Sequence, residues 1–189
     1  MVKKDQETRH MPCSLKEIDR EVKNDSFVKE EAIHIEAENE YMQIAIQQAV
    51  QGITHGHGGP FGSVVVKDGV IVGLGHNQVL LNHDPTCHGE ISAIRDAGKR
   101  LGTHDLSGCV LFTTGEPCPM CLFACKWANI NRVYYGCTIE DNERMGFRDK
   151  ELDGLLRNRA ALGEYLICID REACLKLFDT YLLMERTNY

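Results

Sequence analysis

Cys118 and Cys121 stand three positions apart in Pro117-Cys118-Pro119-Met120-Cys121, and this pair constrains the chain more than any other stretch. Side chains three apart share one face of a helix. Both thiols can therefore reach one ion from a helix start. Upstream, His88-Gly89-Glu90 sets an imidazole and a carboxylate at the head of a second apolar-periodic stretch. Alone, C-x-x-C reads equally as a structural zinc knuckle or a redox pair, and H-x-E says little. Together they describe a catalytic zinc site, with His88, Cys118 and Cys121 as ligands and a fourth position kept for water. Cys87 and Cys125 are the candidates for a fourth protein ligand, which would make the site structural. Cys87 adjoins His88, an awkward geometry for sharing an ion, and Cys125 reads first as a packed core residue and only second as a nearby thiol.

The same stretches supply the electrostatics. Each helix starts at its ligand, where about half a positive charge favours thiolate. Glu90, two residues beyond His88, is expected to face the open position and act as the catalytic acid and base. The N–H groups of Gly89 and Cys118 point toward the same place and can polarise an attacked centre.

Apolar spacing predicts an amphipathic helix over 38–53, ended by the glycine-dense Gly52–Gly62 loop. His55 and His57 in that loop lack partners at ligand spacing and read as loop residues. Strands are expected over Ser63–Lys67 and Val70–Gly75, joined by an Asp68-Gly69 hairpin turn. Thr86 is the expected cap of a helix over His88–Leu101. A strand at Cys109–Thr113, a helix at Cys118–Asn129 and a strand at Arg132–Cys137 follow. Short helical turns over 138–160, a fifth strand at Tyr165–Ile169 and a last helix at Glu172–Met184 complete the series. The alternation argues for an α/β fold of three α/β/α layers around a mixed five-stranded sheet. Residues 1–36, with a capping box at Ser14–Glu17, read as a polar extension, a short helix or disordered; residues 37–189 read as one domain.

The net charge of −7 does not favour an extended nucleic-acid interface and suits a small substrate better. Nine scattered cysteines argue against a disulfide framework, and the polar first thirty-one residues lack the apolar centre of a secretory leader. No apolar run approaches a membrane span. A cytoplasmic protein is expected.

The motif His88-x-Glu90…Pro117-Cys118-x-x-Cys121 is the signature of the cytidine-deaminase-like zinc deaminases. From about Tyr41 to Asp149 the chain resembles the bacterial and plant guanine deaminases of that superfamily. Gly58-Gly59-Pro60-Phe61-Gly62-Ser63-Val64, Asn82–Glu90 and Glu116–Cys121 carry the likeness. The resemblance implies a cytidine-deaminase-like fold, one catalytic zinc ion per subunit and hydrolysis of a free purine base, guanine to xanthine and ammonia. It also implies that Asn77 hydrogen-bonds the purine, that Phe61 and Trp127 wall it, and that Asp149 meets the guanine N–H edge. Tyr189 would close the pocket, from the partner subunit in a domain-swapped homodimer. The structural alternatives are a turn residue at Asn77, core at Phe61 and Trp127, and a loose end at Tyr189. Gly146-Phe147-Arg148-Asp149 departs from the family's Gly-Phe-Asp-Asp, and His83, Gly89 and Thr114-Gly115 also depart. Another aminopurine, a cytosine-like base, a nucleoside, an amino-triazine or tRNA adenosine is the alternative substrate, and a non-catalytic zinc protein the alternative class.

Overall fold

The computed structural model describes residues 35–157, with 33, 168–169, 171 and 175–178 besides. Helix α1 (Glu40–Thr54) is opened by Asn39, whose side chain accepts from the Tyr41 and Met42 N–H groups. Strands β1 (Gly62–Lys67) and β2 (Val70–His76) form an antiparallel hairpin. Asp68 and Gly69 turn it with φ of 50° and 78°, the pair of positive values that a type I′ turn requires.

A single helical turn, α2 (Val79–Asn82), interrupts the loop that follows. Sequence periodicity does not foresee it, because distant contacts hold it: the Leu80 and Leu81 N–H groups both donate to the His57 carbonyl. Helix α3 (Gly89–Leu101) is then capped by His88, not by Thr86. Thr86 lies two residues too early, and its hydroxyl and N–H are both engaged by Asp84. Strand β3 (Cys109–Gly115), helix α4 (Pro119–Trp127) and strand β4 (Arg132–Cys137) follow, then the short helices α5 (Ile139–Arg144) and α6 (Asp149–Arg157).

Among the described residues the sheet has four strands in the order β2-β1-β3-β4, with only β3–β4 parallel. The expected fifth strand and last helix lie largely outside the described residues, as do most of 1–36 and Tyr189. Alternation along β1 builds both faces of the sheet. Val65 enters a cluster with Ala93, Ala97, Leu111 and Cys125, under α3 and α4. Val64 and Val66 enter the other, with Ala45 and Phe112, under α1. The three-layer α/β/α arrangement follows from that period of two.

The approach of α3 to β2 positions the site. A Cβ on Gly75 would lie 2.6 Å from the Gly89 carbonyl oxygen and 2.8 Å from the Ser92 carbonyl carbon, and would also strike the Ala93 nitrogen. Backbone cannot swing away as a flexible side chain can. Gly75→Ala should therefore cost about 2 kcal/mol or more, read as a lower denaturant midpoint, and should displace the helix that carries His88 and Glu90.

Candidate active site

The two helix starts meet beyond the strand ends. His88 and Cys118 are the N-cap residues of α3 and α4, both extended, with ψ of 162° and 165°. Neither side chain makes a cap hydrogen bond, so both are free to converge. One ligand atom from each of His88, Cys118 and Cys121 lies within 4.8 Å of the others, and His88 Nδ1 is 3.6 Å from Cys118 Sγ. Among the described residues the set stops at three. Cys125 packs instead in the core with Leu106 and Ile130, and burial pushes its thiol up to about 12. Cys87 faces Asp84, Asn82 and Arg95.

The donor set fits a zinc ion. The Cys118 thiol is pulled down to about 4 by the hydrogen bond from Cys121 and then by His88, while Cys121 is pushed far up as the partner left holding the proton. Glu90, 5% exposed, is pushed up to about 7, mainly by burial and further by Cys118. Cys118, His88 and the buried Glu90 line a cavity that also holds Glu116 and Asp149, with Cys121 buried beside them, and no lysine or arginine among the described residues lines it. A divalent cation balances that charge, and this nitrogen-and-sulfur set is one that zinc takes with a position left open.

The cavity has a volume of about 450 Å³, within the range of small-molecule sites. Phe61 forms one wall, with the Phe147 ring set edge-on to it at 4.7 Å. Asn77, 4% exposed, lines the cavity and accepts from the Val79 N–H through Oδ1. A Cβ on Gly58 would collide with that oxygen, so the glycine-rich loop must come in bare. Asp149 also lines the cavity, held above the ordinary carboxylate range by burial and by Cys118. Gly89 is buried against β1, where a Cβ would stand 2.9 Å from the Phe61 carbonyl oxygen.

Trp127 is placed otherwise than expected. It is 71% exposed and lines a separate groove with Ile94, Lys99 and His104. It follows Cys121 by six residues, about 9 Å further along the helix and away from the metal end. Within one chain it is not a wall of this cavity. Phe147 and Glu116 also line the cavity and were not expected as site residues. Both carried a signal, since they stand within the quoted Gly-Phe-Arg-Asp motif and the Glu116–Cys121 stretch.

Beneath the glycine-rich loop, His57 Nδ1 is 2.8 Å from His76 Nε2, and the two rings are stacked. Burial, then the neighbouring His57 and His55, hold His76 below the ordinary imidazole value. The unfolded chain takes up this proton near pH 6.5 and the folded chain does not, so folding stability should fall as the pH drops below about 6.5. Denaturant midpoints at pH 8 and pH 5.5 check this, and His76→Gln should reduce the difference.

A family model described as the cytidine and deoxycytidylate deaminase zinc-binding region matches residues 35–137. Guanine deaminase of Bacillus subtilis (strain 168) is 45% identical over 117 residues, 60% of this chain and 75% of that protein. A tRNA-specific adenosine deaminase of Buchnera aphidicola is 29% identical over 146 residues, 77% of this chain and 94% of that protein. Among solved structures, guanine deaminase from Bacillus subtilis superposes with a TM-score of 0.73 at 34% identity, over 82% of this chain and 99% of that one. Guanine deaminase from Nitrosomonas europaea does so with a TM-score of 0.57 at 25% identity, over 78% and 80%.

Proposed function

The chain belongs to the zinc-binding cytidine and deoxycytidylate deaminase family, and on that premise we propose that it hydrolyses a free purine base, guanine, to xanthine and ammonia. The observation that carries this reading is a buried acid, Glu90, beside a three-donor set at a cavity that a second carboxylate, Asp149, also lines.

His88, Cys118 and Cys121 would hold zinc, which when bound supplies the Lewis acidity that brings the ionisation of water toward neutral pH. Glu90, poised near neutrality by burial, takes a proton at its carboxylate and returns protons to the ring nitrogen and to the departing amine. The Asp149 carboxylate accepts from the guanine N1–H and exocyclic N–H. Adenine presents an acceptor at N1, and two acceptors facing each other disfavour it. Asn77, with its oxygen engaged by the Val79 N–H, presents its amide donor end to the base. Phe61 and Phe147, in edge-on contact with each other, form one apolar wall against the planar ring and keep water away. Gly89 lets α3 sit close to β1, so its start faces the cavity.

Xanthine formation from guanine by the zinc-loaded chain tests the reading. Asp149→Ala should raise the guanine KM about tenfold or more while adenine stays a poor substrate. Guanine kinetics unchanged by Asp149→Ala would remove that residue from recognition.

The same proposal covers the assembly. Residues 37–189 act as one catalytic unit and 1–36 as an extension outside it. The chain is cytoplasmic; the cysteines among the described residues are free thiols, in keeping with a reducing compartment. No helix of the described residues is long and apolar enough to cross a membrane. The active form is a homodimer in which Tyr189 of one subunit closes the site of the other. Exposed Phe123, Trp127, Tyr134 and Tyr135 on α4 and β4 supply apolar surface for the contact. Sedimentation at micromolar concentration should give twice the chain mass, and deletion of Tyr189 should raise KM with zinc retained.

A further inference from the structure

Asn142 belongs to none of the motifs above, yet it ties three parts of the cavity wall together. It lies on α5 with 1% of its surface exposed. Its Nδ2 donates to Asp149 Oδ2 at 3.1 Å and reaches the Glu116 carbonyl at 3.4 Å. Its own carbonyl accepts from the Phe147 N–H at 3.2 Å. The turn before Cys118, the Phe147 backbone and the Asp149 carboxylate thus converge on one residue.

Its other amide atom is the informative one. Among the described residues, Asn142 Oδ1 is a buried side-chain polar atom with no hydrogen-bond partner. It sits over Gly115, where an added Cβ would lie 3.1 Å from it and 3.0 Å from Phe61 Cε1. An unpaired buried carbonyl oxygen opposes folding. A small apolar residue would remove that cost but would also lose both Nδ2 hydrogen bonds, so the amide is accounted for by what it holds: the Asp149 carboxylate and the Glu116 carbonyl.

Asp149 needs that bond. It opens α6 just after the Gly146 turn (φ 91°) and is only partly buried, so its carboxylate has staggered alternatives toward solvent. The Asn142 donor favours the one that faces the cavity. A carboxylate oxygen has two lone-pair positions, so Oδ2 can hold Asn142 and still accept from a ligand. Aspartate at 142 would set like charges against each other, whereas the neutral donor does not.

We propose that Asn142 is a positioning residue that fixes the Asp149 carboxylate for the N–H edge of the purine and so sets selectivity between guanine and bases lacking that edge. This rests on the guanine reading of the site.

A double-mutant cycle on the zinc-loaded full chain tests it, with kcat and KM measured for guanine and adenine. Asn142→Ala should raise the guanine KM about tenfold, leave kcat within about twofold, keep the zinc content and leave the melting temperature unchanged or higher. In an Asp149→Ala background the same substitution should change KM by less than about twofold. Asn142→Asp should raise KM further than Asn142→Ala. Equal losses in both backgrounds, or a fall in melting temperature that accompanies a fall in kcat, would mean a scaffold role and overturn the proposal. Should Asn142→Ala not fold, Asn142→Ser enters the same cycle, and failure of both to fold also overturns it. A wild-type chain inert toward guanine would instead strike the parent reading, whereas an active one with unchanged KM in Asn142→Ala would strike this inference alone.

Discussion

Glu90→Ala should retain one zinc ion per chain and lose guanine turnover by a factor of about 10²–10⁴, the range for removing a positioned acid–base group. The residue lies in the first turn of α3 but outside the three-donor set, so metal affinity does not depend on it. Its effect should fall on kcat, because it moves protons during the reaction and is not placed to hold the base at rest. Glu90→Gln keeps the shape and loses the proton transfer, and should match Glu90→Ala within about tenfold. Metal analysis on the protein used for kinetics checks the first part. Turnover within tenfold of wild type would remove Glu90 from the mechanism.

Removal of the metal should have a still broader effect. Cys121 is fully buried, and Cys121→Ala leaves two ligands where three are needed. Zinc content should fall to near zero and turnover by more than about 10³, since the loss of a ligand removes both binding and Lewis acidity. Chelation of the wild type should do the same reversibly, and added zinc should restore only the wild type. Stability should follow occupancy, because an ion that binds only the folded chain contributes about 2.7 kcal/mol at a hundred times its dissociation constant. A chelated wild type should therefore unfold at a lower denaturant concentration than the loaded one, and Cys121→Ala should unfold at the same point with or without zinc.

The readable parts of this fold were those governed by local chemistry. Asp68-Gly69 specifies a tight hairpin by itself, and the period along β1 assigns Val64, Val65 and Val66 to alternate faces. The metal set was legible because two thiols at helical spacing and a distant H-x-E have few other joint explanations. The features that were missed each turn on a contact or a placement that residue type alone does not announce. The α2 turn exists because its N–H groups find the His57 carbonyl, which no local pattern announces. The cap of α3 falls at His88 because Thr86 is already engaged by Asp84. Trp127 shares a helix with Cys121, but helical rise carries it away from the cavity and onto the surface. Asn142 stands in a run of polar residues where nothing distinguishes an inward amide from solvated ones. Only the capping box of Thr138 and Asp141, and the packing of α5 against Glu116, turn it inward.

The proposed chemistry requires a zinc ion with three protein donors and one position open to solvent. X-ray absorption at the zinc edge on the loaded wild-type chain measures this directly. Two sulfurs at about 2.3 Å and two nitrogen or oxygen atoms at about 2.0–2.1 Å, one of them with the scattering of an imidazole, are predicted. A third sulfur, from Cys87 or Cys125, would mean a closed structural site and contradict the account.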